Sequence, residues 1–479
     1  MTDVDRELYQ KVSAWVDAKR DDIVRDISDL VKIRSVSDAS SEVKPYGQGC
    51  RDAMDRMLDL CRGYGMKTEN YGYHVGTAWF QEGERTIGLW GHLDVVEEGS
   101  GWQYPPYEAL EREGYLIGRG ADDNKGPAVA SLYTLRCLWE LGLRPLRAPK
   151  MFFGCNEEQG MADLDYYLER FPCPELSLVV DSGYPVAYGQ AGSLTLRLDS
   201  KEEVPENMLS FQGGEAPNMI PGEAFAAVRT KKPPQARNRP GIRQEYSDGI
   251  LKVWAKGISG HPAFPEGSLN ALRLLTGFLL DEGSLMGKGL DMIAFLHRIN
   301  RDLKGGGLGI SVEYGVPEEL ICAGTKAEIR DGKLSIYVNI RYPSVQKEPW
   351  VPDAIKKEEL LARMEMTAGT NGFSLLVMNE IDPKLYFPKD HPAVSVLEKV
   401  FREAAGIEKE AFILGGSCYA VKLTNALGFG PGLPAQPPQG MFPPGHGRAH
   451  GPDEALQIEN LLTTVKINCM ALLALDSIT

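Results

Sequence analysis

The chain has 479 residues, 43% of them hydrophobic and 25% charged, a composition for a globular protein too long for one ordinary core. A formal net charge of −14 leaves no basic excess to displace counterions, so a nucleic-acid partner is not expected. The start of the chain does not read as a secretory signal and no run of about twenty apolar residues stands out, so no membrane partner is expected either.

In chain order, apolar residues at helical spacing, among them Val12, Trp15, Ile23, Ile27, Leu30 and Ile33, predict one helix over residues 5–34. A second helix is predicted from Asp52 to Arg62, ended by Gly63 and Gly65. Strands follow near 73–80 and 86–91. Paired prolines make Gly101–Tyr107 a loop, and a short hairpin spans Glu108–Gly118. A helix at Ala128–Leu141 has Pro127 beside its first turn, where a missing N–H costs little. The strand–helix–strand order continues to Asp181 and predicts a mixed or parallel α/β sheet.

The pattern changes near Gln190-Ala191-Gly192. Ser193–Ser200 alternates like a half-buried strand, and Lys231–Pro240 is a basic loop containing prolines. Strands near 249–256, helices near 269–281 and 289–303, strands near 321–329 and 333–341 and a helix at about 354–370 complete an α+β insert. The expected domains are therefore 1–191, an inserted lid at 192–382, and 383–479. In the last part His391–Ala405 is predicted helical and Ala411–Leu414 a strand. Gly415-Gly416-Ser417 is expected to open a helix, Leu427–Gly445 to be a loop, and a final helix to run from about Pro452 to Leu475. The eight cysteines are scattered, with no C-x-x-C pair, and read as reduced thiols of a cytoplasmic protein.

Acidic and histidine clusters sit at the ends of these elements. His92 and Asp94 close the apolar run Ile87–Trp90. Asp122-Asp123-Asn124-Lys125-Gly126 precedes a helix. Glu157-Glu158 follows Met151–Cys155, Asp181 follows Leu176–Val180, and His446, His450 and Glu454 come near the end. In an open α/β sheet the ligand crevice lies at the carboxyl ends of strands. Two histidines and several carboxylates delivered there suit a two-metal site.

Together these clusters resemble the two-zinc metallopeptidase superfamily, which holds carboxypeptidase G, succinyl-diaminopimelate desuccinylase, aminoacylase and dipeptidases of carnosinase and PepV type. PepV-like dipeptidases are most similar. The resemblance implies an α/β catalytic domain with a mixed central sheet flanked by helices, interrupted by an α+β lid. It implies two divalent cations, zinc first and manganese or cobalt as alternatives, held by His92, Asp123, Glu158, Asp181 and His450. Asp94 would orient His92, and Glu157 would be the general base. Matching the Asp-x-Lys-Gly pattern selects Asp123 as the residue shared by both metals; matching a consecutive aspartate pair would select Asp122. His446 competes with His450, though Glu454 four positions on fits the family pattern at His450. A cis peptide at Asp123–Asn124 is also implied.

From the insert, the resemblance assigns His261 to the substrate carbonyl, Asn218 to substrate binding and Arg341, in Val338–Pro343, to a free carboxylate. Gly416 and Ser417 would form a glycine loop on the substrate side. The expected function is hydrolysis of a dipeptide amide by a hydroxide bridging two metals, which lower its pKa, with Glu157 moving the proton. Two alternatives stand beside it: an N-acyl amino acid deacylase of the same superfamily, and a catalytically inactive binding protein on the same fold. The expected partner is a small peptide. The large insert implies a monomer.

Overall fold

The computed structural model describes residues 3–231, 233–234, 239–263, 265, 267–311, 320–342, 356–435 and 437–478. Parts of three sequence expectations, the basic loop Lys231–Pro240, the start of the helix at 354–370 and Pro343 of the arginine strand, lie outside the described residues. The chain folds into two compact units, Met1–Gln190 with Leu385–Thr479, and Ala191–Lys384.

The first unit is built on a mixed sheet. Its strands run in the order Lys67–Tyr71, Val75–Trp79, Ala148–Gly154, Thr86–His92, Leu176–Val179, Ala426–Gly428 and Ala187–Gln190. Thr86–His92 lies parallel to both of its neighbours, with His92 opposite Gly154. Its side chains alternate as a strand requires. Ile87 and Leu89 join one hydrophobic core, beneath residues of the helices Asp3–Ala18, Arg20–Val31, Gln48–Gly63, Gly126–Glu140 and Ile458–Ala474. Trp90 joins a second core on the other face, stacked on Phe152 with ring centroids 4.1 Å apart. Its indole N–H donates to Ser177 Oγ at 3.1 Å, so the one polar atom of this buried ring is satisfied. Helices on one face and aromatic packing on the other explain why the strand reads as an almost unbroken apolar run.

The second unit is an antiparallel eight-stranded sheet. Its order is Ile242–Ser247, Ile250–Lys256, Glu223–Arg229, Met208–Gly213, Ile321–Arg330, Lys333–Tyr342, Gly192–Ser200, Phe373–Ile381. Residues of the helices Ala271–Glu282, Lys288–Ile299 and Lys357–Thr370 share its hydrophobic core with inward strand residues such as Leu194, Leu196 and Leu198. The fold is thus α/β with an α+β insert.

Four local expectations differ from the structure. The helix predicted over 5–34 is two helices, Asp3–Ala18 and Arg20–Val31, because Lys19 leaves helical geometry at φ −104°, ψ 6°. No α-helix follows Gly415-Gly416-Ser417; only the 3₁₀ turn Tyr419–Val421 forms. Leu427 and Gly428, expected to begin a loop, lie in the strand Ala426–Gly428. The last helix starts at Ile458, not Pro452, because Ala455–Gln457 pairs as a strand with Tyr115–Ile117. That last helix with its final turn, Ile458–Ser477, is long and apolar enough to cross a membrane by length and average composition, although polar residues such as Glu459, Asn460, Lys466 and Asn468 interrupt it. Of its most apolar 18-residue stretch 67% is buried within the protein, as in a core helix.

Candidate active site

The strand Thr86–His92 delivers His92 fully buried at its carboxyl end. Its Nδ1 lies 3.0 Å from the carbonyl of Asp94. A carbonyl only accepts, so Nδ1 carries a hydrogen, and the neutral ring would present its Nε2 lone pair to a cation. That Nε2 lies 3.1 Å from Asp123 Oδ1 and 3.8 Å from Asp181 Oδ2. The other oxygen of Asp123 lies 3.1 Å from His450 Nε2, which is also 3.0 Å from Glu158 Oε1. Two groups therefore form, His92 with Asp123 and Asp181, and His450 with Asp123 and Glu158. Asp123 belongs to both.

The loop that aims Asp123 is organised by Glu454, which is completely buried. Glu454 Oε1 accepts the backbone N–H groups of Gly120, Asp122 and Asp123, each at 3.0 Å. Arg119 Nη1 donates to the other oxygen at 2.5 Å. Gly120 turns the chain with φ +86°, where a side chain would be strained. The Asp123–Asn124 peptide is cis, as the resemblance implied. Asn124 then donates to the Val180 carbonyl at 2.8 Å and to Asp181 Oδ1 at 3.0 Å, while its own oxygen accepts the His92 N–H at 3.2 Å. One amide thus spaces His92 from Asp181. Sequence reasoning passed over Asn124, although its place beside Asp123 was a usable signal.

Asp94, also buried, spreads its carboxylate over the next turn. Its two oxygens accept the N–H groups of Glu157 and Glu158, each at 3.1 Å. The two glutamates come from the turn after Ala148–Gly154, so the parallel pairing of that strand with Thr86–His92 brings them to the histidine.

The electrostatics follow from crowding. Burial, then the charge of Asp123, pushes Asp181 up to about 7. Glu157 is raised well above the carboxylate range by burial and then by Asp181. Glu158 is raised by burial against the pull of His450. Burial would raise Asp123 too, but hydrogen bonds with His450 and His92 hold it well below its usual value. Burial opposes charge on His92 and His450, yet their carboxylate neighbours raise both well above 6.5. So many buried acceptors converging on one another repel unless protons or cations lie between them. Imidazole nitrogens and carboxylates suit zinc, manganese or cobalt. The residues present fit a pair of divalent cations.

Neither competing residue joins a group. Asp122, raised to about 8 by burial and then by Glu454, is in neither. His446 Nδ1 instead pairs with Asp453 Oδ2 at 2.6 Å, and Asp453 takes the N–H groups of Gln103 and Tyr104. Ser417 Oγ donates to Gln190 Oε1 at 3.1 Å, while Gly416 faces open space. The α-helix expected to open at this loop is missing, so no helix N-terminus stands there.

Asn218, His261 and Arg341 belong to the second unit. There the Ile220 N–H donates to the Gly260 carbonyl at 2.7 Å, which draws the Asn218 and His261 segments side by side. His261 Nδ1 accepts the Ala263 N–H at 3.2 Å. Arg341 is opposite Ser193 on one neighbouring strand and Ile321 on the other. Its Nε donates to Asn339 Oδ1 at 3.1 Å. Burial pushes its pKa down to about 10, so the guanidinium stays charged at neutral pH.

Comparison with known proteins finds peptidases over nearly the whole chain. The chain is 27% identical to the Beta-Ala-Xaa dipeptidase of Lactobacillus delbrueckii subsp. lactis, over 95% of this chain and 96% of that one. It is 27% identical to the putative dipeptidase YtjP of Bacillus subtilis, covering 95% and 97%. Human carnosine dipeptidase 1 shares the fold at a TM-score of 0.59 and 15% identity, covering 98% and 99% of the two chains. Residues 88–474 match the model of peptidase family M20/M25/M40. The chain belongs to that family and is a metallopeptidase.

Proposed function

We propose that this metallopeptidase is a dipeptidase whose site holds two divalent cations, zinc first. One would rest on His92, Asp123 and Asp181, the other on Asp123, Glu158 and His450. The observation that carries the reading is the carboxylate of Asp123, with one oxygen toward each histidine. Bound there, the cations would lower the pKa of water and polarise an amide carbonyl.

The rest is work for the chain's own side chains. Glu157 shares a turn with Glu158 but is absent from both ligand groups, so its carboxylate is available for proton transfer. A buried carboxyl with a raised pKa suits a group that takes a proton from water and returns it to the leaving amine. Asp94 would keep His92 in the tautomer that presents Nε2.

From the insert, His261 would donate to the carbonyl oxygen as negative charge develops. Arg341 would hold the free carboxylate of a dipeptide, with Asn218 and the Gly416–Ser417 loop completing the substrate contacts. Similarity over nearly full length to an enzyme named Beta-Ala-Xaa dipeptidase supports a dipeptide over a longer peptide. All eight cysteines are free thiols, which supports a reducing, cytoplasmic setting, and a monomer is the working assembly. The test is turnover of a dipeptide panel with zinc, manganese or cobalt added to chelated enzyme, run beside N-acyl amino acids. Cleavage of N-acyl amino acids with no dipeptide cleaved would overturn the assignment.

A further inference from the structure

The turn that carries Glu157 and Glu158 is held by more than Asp94. Asp163, fully buried, sits in the first turn of the helix Ala162–Leu168. Its Oδ2 accepts the backbone N–H groups of Cys155 at 2.7 Å and Asn156 at 2.8 Å. Asp94 takes the next two, Glu157 and Glu158. Consecutive N–H groups from Cys155 to Glu158 are thus anchored by two buried carboxylates. Hydrogen bonds to an ionised acceptor are the stronger kind.

The same Oδ2 of Asp163 accepts the hydroxyl of Tyr419 at 2.5 Å. Tyr419 is itself buried, with its ring set edgewise to His92 at a centroid distance of 6.5 Å and an interplanar angle of 85°. One side chain therefore touches the imidazole of His92 and the carboxylate that holds the glutamate turn. A third observation is independent of both. Gly154 pairs in register with His92, and a β-carbon there would fall on the Tyr419 hydroxyl and on Asp163 Oδ2. The end of the strand is kept bare where the pair sits.

We propose that Asp163 and Tyr419 are positioning residues that set the distance between His92 and the Glu157–Glu158 turn. Neither touches the reacting atoms. Without the Tyr419 hydroxyl, Asp163 loses a donor and the turn loses its tie to the histidine. Misplacement of a catalytic group by about 1 Å can cost about 10²-fold in rate. This inference rests on the reading of Glu157 as base and Glu158 as ligand.

The test is Tyr419→Phe, which keeps the ring and removes the hydroxyl, read by kcat, KM and metal affinity. Kcat should fall by about 10- to 100-fold with KM within about twofold of wild type, and affinity for the weaker-bound of two zinc or cobalt ions should fall by a similar factor. Asp163→Asn should act in the same direction. The double variant should be no worse than Asp163→Asn alone, since the two changes break one link. If Asp163→Asn does not fold, Gly154→Ala, which drives a methyl group into the pair, should reproduce the loss of kcat and metal affinity. Tyr419→Phe with wild-type kcat and metal affinity, or with only a lowered melting temperature, overturns the proposal. A Glu157→Gln control separates the two readings: if it stays active, the base assignment fails, while metal affinity still reports on Asp163 and Tyr419 through Glu158.

Discussion

The carboxylate of Glu454 accepts the backbone N–H of Asp123 at 3.0 Å. The same oxygen takes the N–H groups of Gly120 and Asp122, and the other oxygen pairs with the buried Arg119. A glutamate four residues past His450 thus holds the loop of the shared aspartate. Truncation would strand the Arg119 charge and orphan three backbone donors. Glu454→Ala is expected to lower unfolding free energy by about 3–5 kcal/mol, the range for breaking a buried ion pair from one side. Urea unfolding at saturating metal checks it; a loss below about 1 kcal/mol, the worth of a surface pair, would contradict the role.

Glu157→Gln should reduce turnover by about 10²–10⁴-fold, the usual contribution of a general base. Metal content should stay at the wild-type level, because Glu157 lies in neither ligand group. Asp123→Asn should behave differently and lose metal, since that carboxylate faces both histidines. Metal analysis of the two purified variants side by side distinguishes them, and equal metal loss in both would remove Glu157 from its proposed task.

Chelation should make stability depend on pH in a definite direction. Asp181 is pushed up to about 7 and Asp122 to about 8, both first by burial. Both values exceed the ordinary 3.8, so the folded state binds protons that the unfolded chain has released. The stability from protonating these groups is full below about pH 4 and is lost as pH rises through about 7 to 8. Chelated protein should therefore melt lower at pH 8.5 than at pH 5.5, by an amount these two groups contribute. Restoring metal should raise the high-pH melting temperature more than the low-pH one. Thermal melts across pH with and without chelator measure both effects, and a chelated protein that gains stability from pH 5.5 to 8.5 would contradict the prediction.

Arg341→Met should impair cleavage of dipeptides far more than of their C-terminal amides, because the amides lack the carboxylate that a guanidinium would grip. Equal loss on both substrates would exclude that role. His261→Ala should lower kcat by about 10²–10³-fold with a smaller effect on KM, as removal of an oxyanion donor does. A change confined to KM would instead mark His261 as a plain binding residue.

Much of the first unit was legible in the chain itself. Strand Thr86–His92 announced itself through an apolar run between turn residues, since a strand covered on both faces has no polar face to interrupt it. The helix Gly126–Glu140 and the alternation of Gly192–Ser200 were readable for similar local reasons. The order of acidic and histidine motifs likewise pointed to the metallopeptidase family to which the chain belongs. Several strands of the insert, such as Met208–Gly213 and Phe373–Ile381, were not readable. Met208–Gly213 does not alternate regularly in burial, and Phe373–Ile381 finds its partner, Gly192–Ser200, far away in sequence. The final strand Ala455–Gln457 was hidden because only pairing with Tyr115–Ile117 keeps it out of the helix. The choice between Asp122 and Asp123 is of the same kind. Two adjacent aspartates are chemically alike as a string of residues. Only the folded loop, held through its N–H groups by Glu454 and set beside Asn124, turns one carboxylate between His92 and His450 and leaves the other outside both groups.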